Sequence, residues 1–430
     1  MTVNRGTRWL PGFVLGLGLI GLMMLTAMRV ALPVFRFPQP TGRYDIGTVT
    51  YHWVDEARPE FFSADPHQRR ELMVQVWYPS RHVAFAQRAP YVPHAAAVTD
   101  AFARLQGKPA FIFRQFSHVT TNASVSVPVA DDAQRFPVLL FLVGATGFRQ
   151  MNTFQVEELV SHGYIVAAID QPGAAATVVF PNGRQIVALS VEQLRALIQP
   201  SYMPGAAAPL LHGRALPDAG IVPYLTEDVS FVIDRLTAAD NADPHAILTG
   251  RLDMRHLGAF GVSLGGIVVG DACRSDPRIA ACLMMDAPVA NAVVSAGLMQ
   301  PSMWITRDAS SMRLERQRSG GWPEAEIAAH LTSMRAAYTG ARDAAYVVQI
   351  PRTFHSNFTD VPNWSPLMSR LGVAGPIDHE RAHAIINAFG LAFFDRHLKG
   401  HSLDSLAHAV AKYSDAHVES RNAALTGVSR

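Results

Sequence analysis

The sequence predicts an α/β fold in which a mostly parallel sheet is covered by helices on both faces. Two stretches predict it. Phe136–Val143 (FPVLLFLV) and Tyr164–Ile169 are continuous apolar runs of strand length, the pattern of strands buried on both faces. Between them lie a small-residue loop, Gly144-Ala145-Thr146-Gly147, and a helical pattern ending at Ser161, so the whole is a βαβ unit that imposes parallel pairing. Arg255–Gly270 (RHLGAFGVSLGGIVVG) repeats the signal: a buried strand over Leu257–Phe260, a glycine-pinched turn, and a helix opening at Gly265-Gly266.

Length and composition leave room for such a domain. The 430 residues are 49% apolar and 17% charged, and the net charge of +2 is scattered along the chain. A large core is available, and the charge pattern argues against nucleic acid as a partner. The two cysteines, Cys273 and Cys282, are too few for a disulfide-framed scaffold or a Cys-rich zinc site. Both lie in apolar surroundings and are expected as buried free thiols.

Taken in order, the chain opens with an apolar run, Trp9–Met28, of about 20 residues, long enough to cross a bilayer as a helix. Residues 1–31 are therefore expected to be a membrane anchor or an export signal. The run exceeds the roughly 7–15 residues of a usual signal core, and Leu25 fits a small-residue cleavage site poorly, which favours an uncleaved anchor. Either reading puts the domain at the membrane or on its exported side, in the cell envelope, periplasm or extracellular space. Arginines on both flanks leave the orientation open. Residues 32–43, which include LPVFRFPQP, read as a stiff linker, and a catalytic domain is expected over 44–415.

Within that domain, Glu71–Tyr78 (ELMVQVWY) alternates and is rich in β-formers, so it is an early strand. Residues 81–130 carry no assignable pattern. After the βαβ unit the pattern loosens over 181–222, where Ser190-Val191-Glu192-Gln193 is a capping box for a short helix that Pro200 ends. The Pro/Gly/Ala-rich piece Pro200–Pro217 makes this region a candidate cap or lid. Tyr224–Leu236 has helical spacing and feeds the elbow strand. Beyond the elbow come a strand ending at Met285-Asp286 and another, Met303–Thr306. A helix near 323–338, a strand Tyr346–Ile350, a loop to His355 and a last amphipathic helix over about Asp378–Leu398 follow.

The turn Gly261-Val262-Ser263-Leu264-Gly265 spells G-x-S-x-G, the form of a nucleophile elbow. There a serine sits in a strained strand-to-helix turn, and glycines let neighbouring backbone pass without Cβ clashes. A serine nucleophile needs a base and a carboxylate to orient that base. The order serine, acid, histidine belongs to the α/β-hydrolase arrangement, whose active groups stand past the carboxyl ends of strands. Two acids meet that condition, Asp286 and Asp308, and order along the chain does not choose between them. His355 follows the last predicted strand and is the candidate base. The oxyanion donors expected are the N–H groups of Leu264, after the serine, and Ala145, in the loop after an earlier strand.

These residues resemble the plasma-type (type II) platelet-activating factor acetylhydrolases and their bacterial relatives. The pieces that carry the resemblance are GAFGVSLGG around Ser263, LMMDAP around Asp286 and FHSNFTD around His355, supported by RRELMVQVWYP, GFRQ, SHGYIVAAID and AFFDRHLKG. It implies an α/β-hydrolase fold and a triad of Ser263, Asp286 and His355, with the oxyanion loop at Gly144-Ala145. The implied activity is a cofactor-independent serine esterase for short acyl esters of lipid-like or small alcohols. The family often has histidines before the loop glycine and before the serine; Val143 and Val262 stand there instead, which leaves acyl and leaving-group preference open. The broader alternative is a lipase-, cutinase- or dienelactone-hydrolase-like esterase.

One motif points to another class. His379-Glu380-Arg381-Ala382-His383 spells H-E-x-x-H, which on a helix aims two imidazoles at one zinc ion with a glutamate as base, the signature of a metallopeptidase. No third ligand stands out. The apolar stripe Ala384, Ile385, Ala388, Leu391, Phe394 explains the same helix as a sheet cover, so no metal is expected.

Overall fold

The computed structural model describes residues 29–203, 205–207 and 209–422, together with positions 19, 23 and 26. Apart from those three positions, the expected span Trp9–Met28 lies outside the described residues. No helix among the described residues is long and apolar enough to cross a membrane.

The strands are β1 (Asp45–Pro59), β2 (Arg69–Ser80), β3 (Arg88–Pro90), β4 (Thr120–Val125), β5 (Phe136–Leu142), β6 (Ile165–Asp170), β7 (Thr177–Val179), β8 (Gln185–Val187), β9 (Leu252–Val262), β10 (Ile279–Met285), β11 (Ser302–Thr306), β12 (Ala345–Gln349) and β13 (His417–Arg421). Eleven of them form one sheet in the order β13-β12-β11-β10-β9-β5-β6-β2-β1-β4-β3, and β7 and β8 make a separate hairpin. From β12 through β6 every neighbouring pair is parallel, while β2 and β13 join this block antiparallel at its two sides. The mostly parallel sheet read from the sequence is present.

Period-two alternation divides the central strands between two cores. Val138, Leu140 and Leu142 of β5 pack on one face, and Leu139 and Phe141 on the other. The first face is covered by the helices Val222–Asn241 and Leu264–Ser275, through Val229, Val232, Ile267 and Val268. The second is covered by Thr153–Ser161 and His379–Leu398, through Phe154, Leu159, Ile385 and Phe389. Each large side chain buried this way contributes about 1.5–3 kcal/mol, and that anchors the strand ends on which the site is built.

Three features differ from the sequence reading. Residues 33–40 are irregular, yet this linker is docked, with Phe35 and Phe37 buried in an aromatic cluster against Tyr91 at 5.5 and 5.0 Å between ring centroids. The unassigned stretch 81–130 holds β3, the helix Ala95–Leu105, the 3₁₀ segment Ala110–His118 and β4; its short pieces never sustain one period long enough to read. Cys273 and Cys282 are bridged, with Cα atoms 6.5 Å apart, which corrects the expectation of free thiols. Apolar burial suits a bridge as well as it suits a thiol, and the short return from the elbow helix to β10 brings the two together.

Candidate active site

Strand register builds the site. Val262 pairs with Met285, Met285 with Ile305 and Ile305 with Val348, a row across β9, β10, β11 and β12. The residues that follow this row leave the carboxyl edge of the sheet side by side, where ligands of open α/β sheets bind. Ser263 and Asp286 each stand one position past it.

Ser263 takes φ 57° and ψ −124° at the start of the helix Leu264–Ser275, and its N–H donates to the Met285 carbonyl at 2.9 Å. A left-handed φ at a residue with a Cβ costs about 1–3 kcal/mol, so the surroundings must over-determine the turn. They do. A Cβ on Gly261 would stand 2.5 Å from the Gly265 carbonyl group, and one on Gly265 would overlap the Leu142 carbonyl. Glycine at both places lets the helix start press against β5 and β9.

His355 opens a 3₁₀ turn, His355–Phe358, that Asn357 pins by accepting the Phe354 N–H at 2.8 Å. Its Nδ1 lies 2.6 Å from Asp286 Oδ2. A buried carboxylate accepts, so Nδ1 carries the proton and Nε2 is free to act as base. The Thr306 hydroxyl donates to Asp286 Oδ1 at 3.2 Å, and His330 Nε2 in turn donates to that hydroxyl at 3.0 Å. Arg307 Nε stands 2.9 Å from Asp286 Oδ2. Burial pushes the Asp286 carboxyl up, but the Arg307 guanidinium and the His355 hydrogen bond outweigh it and hold it well below the usual carboxylate range. Burial, with Arg307 and His355 adding to it, takes His330 down to about 4 against the pull of Asp286, so His330 is neutral.

The second acid candidate does something else. Asp308 is the N-cap of the helix Ala309–Ser319 and accepts the Ser311 N–H at 2.9 Å. The structure therefore brings Asp286, and not Asp308, to the imidazole.

Leu264 is the first residue of its helix, so its N–H is one of the donors that no helical carbonyl can satisfy. In the facing loop, Thr146 N–H donates to the Ala174 carbonyl at 2.7 Å and Gly147 N–H to the Gly144 carbonyl at 3.0 Å. The Ala145 N–H meets no backbone acceptor among the described residues, and Ala145 lines the same two cavities as Ser263.

Two cavities converge on Ser263 and His355. The larger, about 540 Å³, is walled by apolar groups that include Phe102, Phe113, Val143, Val262 and Trp364. The smaller, about 240 Å³, lies under the helix Val191–Ile198 and is edged by Leu194, Arg195, Tyr202 and Trp322. The capping box read at Ser190 is present, and Val191, Leu194, Arg195, Ile198 and Tyr202 line this second chamber.

None of the H-E-x-x-H residues lines either cavity. His383 is buried, stacks on Phe154 with ring centroids 3.8 Å apart, and directs Nε2 at the Thr359 carbonyl at 3.0 Å. Glu380 faces solvent, and no group of three or more metal-binding side chains occurs among the described residues. Packing accounts for His383 without an ion. Sequence reasoning missed Thr306, Arg307, Glu315, Trp322 and His330. The one available signal was position, since Thr306-Arg307 ends the strand just before the rejected Asp308.

Comparisons with known proteins agree with the resemblance. A sequence model of the family described as platelet-activating factor acetylhydrolase, isoform II, matches residues 31–193, a stretch that holds the Gly144-Ala145 loop but ends before the elbow. The platelet-activating factor acetylhydrolase of Canis lupus familiaris is 22% identical over 391 residues, spanning 84% of this chain and 77% of that protein. Among solved structures, a ferulic acid esterase from Streptomyces cinnamoneus is similar with a TM-score of 0.63 and 26% identity, over 85% of this chain and 94% of that one. The chain is thus similar to the isoform II acetylhydrolase family over residues 31–193 and has an esterase-like α/β fold.

Proposed function

We propose that this protein is a serine carboxylic ester hydrolase that cleaves short acyl esters of lipid-like or small alcohols through an acyl-enzyme, without a metal or organic cofactor. The observation that carries the reading is the 2.6 Å contact between His355 Nδ1 and Asp286 Oδ2 at the rim of cavities that Ser263 also lines. Ser263 Oγ attacks the ester carbonyl while His355 Nε2 takes its proton, and the carbonyl electron pair moves onto oxygen. The N–H groups of Leu264 and Ala145 hold that oxyanion. Collapse of the tetrahedral adduct expels the alkoxide, which leaves with the proton from His355. A water then repeats the sequence on the acyl-enzyme and restores Ser263. Asp286 keeps the imidazole in its Nδ1–H tautomer and stabilises its charged form.

An acetyl group fills little of a 540 Å³ chamber, so the large apolar cavity takes the long arm of the ester and the smaller one the short arm. A second reading has a specific observation behind it. Phe102, Phe113 and Trp364 line the large cavity and suit an aromatic acyl group such as a hydroxycinnamate, the kind of acyl group in the name of the Streptomyces enzyme. The N-terminal apolar run is proposed to hold the domain at the membrane or to export it. The Cys273–Cys282 bridge supports an oxidising compartment.

The test is an acyl-length series of p-nitrophenyl esters, run beside a phospholipid with a short sn-2 chain and a methyl hydroxycinnamate. Preference for two- to four-carbon acyl groups supports the first reading, and preference for the cinnamate supports the second. Full hydrolysis by Ser263→Ala would remove both.

A further inference from the structure

We propose that Arg307 and Glu315 are positioning residues that close a circuit with Asp286 and His355 and so fix the imidazole against Ser263. The proposal rests on the hydrolase reading above and adds two residues that the sequence motifs had not marked.

The circuit can be followed atom by atom. Asp286 Oδ2 meets His355 Nδ1 at 2.6 Å and Arg307 Nε at 2.9 Å. Arg307 Nη1 pairs with Glu315 Oε2. The other oxygen of the same carboxylate, Glu315 Oε1, accepts the backbone N–H of His355 at 3.1 Å. The histidine is thereby held at two points, its ring nitrogen and its own main chain, by two carboxylates that one guanidinium locks together. Trp322 closes the open side. Its ring stands 4.8 Å from the Arg307 guanidinium carbon and 5.2 Å from the His355 and His330 rings.

The need for such a device follows from where His355 sits. Ser263 and Asp286 leave the sheet edge directly, so strand register fixes them. His355 lies six residues beyond β12 in a loop, where nothing in the sheet sets its distance from Ser263. Glu315 comes from the helix Ala309–Ser319, which Asp308 caps, and it lends the loop that helix's rigidity. Arg307 is fully buried and Glu315 nearly so. Arg307 meets Asp286 as an ion pair and Glu315 through a hydrogen bond, and in such surroundings an unpaired charge is costly. Charge also balances. Two carboxylates and one guanidinium sum to one negative charge, which the imidazolium formed during attack neutralises.

The experiment uses the full chain carrying Glu315→Gln, Arg307→Lys and Arg307→Met, with kcat and KM measured on a p-nitrophenyl ester and the rate of Ser263 labelling by a fluorophosphonate. The Glu315→Gln change is isosteric: the amide keeps an acceptor for the His355 N–H but turns a donor toward Arg307. The expected result is a fall in kcat on the order of 100-fold for Glu315→Gln and Arg307→Met, the scale of a misplaced catalytic group, with KM changed less than about twofold. Arg307→Lys keeps the charge and should recover part of the loss. In a His355→Ala background the Glu315→Gln change should cost nothing more, because the residue acts through the imidazole. Folded Glu315→Gln with kcat within about twofold of wild type would overturn the proposal, as would a loss that recurs undiminished without His355. Should Arg307→Met fail to fold, Glu315→Gln alone decides. Ser263→Ala runs in parallel: if it stays active the hydrolase reading itself fails, a result separate from failure of the circuit.

Discussion

Oδ2 of Asp286 faces two side chains at once, the neutral imidazole of His355 with Nδ1 at 2.6 Å and the guanidinium of Arg307 with Nε at 2.9 Å. The carboxylate is therefore paired before any substrate arrives, and it stays ionised although it is buried. Its orientation is fixed from both oxygens, because the Thr306 hydroxyl addresses Oδ1. A carboxylate held this way orients an imidazole without having to find it.

The two strand-end acids should then separate cleanly in kinetics. Asp286→Asn leaves Arg307 facing an amide and admits the wrong histidine tautomer, so kcat should fall on the order of 10⁴-fold. Asp308→Asn keeps an N-cap of equal quality and should change kcat by less than about twofold. Steady-state kinetics on a p-nitrophenyl ester checks both, and equal or reversed losses would mean that Asp308 is the functional acid.

What the sequence revealed follows how local each signal is. The apolar run Phe136–Val143 and the elbow around Ser263 announce themselves because a few adjacent residues determine them; β5 lies where it was read, and β9 contains the read Leu257–Phe260 but starts earlier, at Leu252. Choosing Asp286 over Asp308 needed more, since both follow buried strands and only the fold shows that one faces an imidazole while the other caps a helix. Arg307, Glu315 and Trp322 act through partners up to 40 residues away, and no spacing rule encodes that. β1 went unread because its central residues alternate only in part and its ends are polar. The cysteine bridge was misjudged because composition reports burial, whereas bridging depends on where a helix ends over a strand.

Gly144 faces the nucleophile less tightly than the elbow glycines face their neighbours, but in the place that matters. A Cβ there would stand 3.0 Å from Ser263 Cβ, so the loop or the nucleophile must give by a few tenths of an ångström, while the 3.6 Å to Oγ is an ordinary contact. A loop that gives way carries the Ala145 N–H with it. Gly144→Ala should lower kcat on the order of 100-fold, the scale of one lost oxyanion donor, with little change in KM or melting temperature. Wild-type kcat in that variant would show that the Ala145 N–H does not stabilise the transition state.

Removing the bridge should cost stability and spare chemistry. Cys273 and Cys282 are nine residues apart, and closing so short a loop stabilises by about 2–3 kcal/mol on the chain-entropy account. Cys273→Ala with Cys282→Ala should melt several degrees lower and keep its kcat at 25 °C. Thiol titration of the denatured, unreduced protein should find no free thiol, and two titratable thiols would rule the bridge out.

The loop that carries His355 should also make stability depend on pH. Asp360, five residues on, is buried and accepts the Thr153 and Phe154 N–H groups at 2.9 and 3.0 Å, capping the helix Thr153–Ser161 from a distance. Burial is the largest influence and takes its carboxyl up to about 7 despite those two donors, with neighbouring Glu157 adding to the rise. Glu157 is itself lifted to about 7 by burial, against its hydrogen bonds from Asn122 and Ala123. An unfolded aspartate or glutamate titrates near 4, so between about 4 and about 7 the folded chain binds more protons than the unfolded one. The stability tied to these groups is complete below pH 4 and is lost as pH rises through 7. Asp360→Asn cannot ionise and keeps one acceptor for the helix N-terminus. Melting temperatures measured from pH 5 to pH 8 should therefore decline less steeply in Asp360→Asn than in wild type, and the double variant with Glu157→Gln should be flatter still. Parallel curves for all three proteins would mean that neither carboxyl titrates in this range.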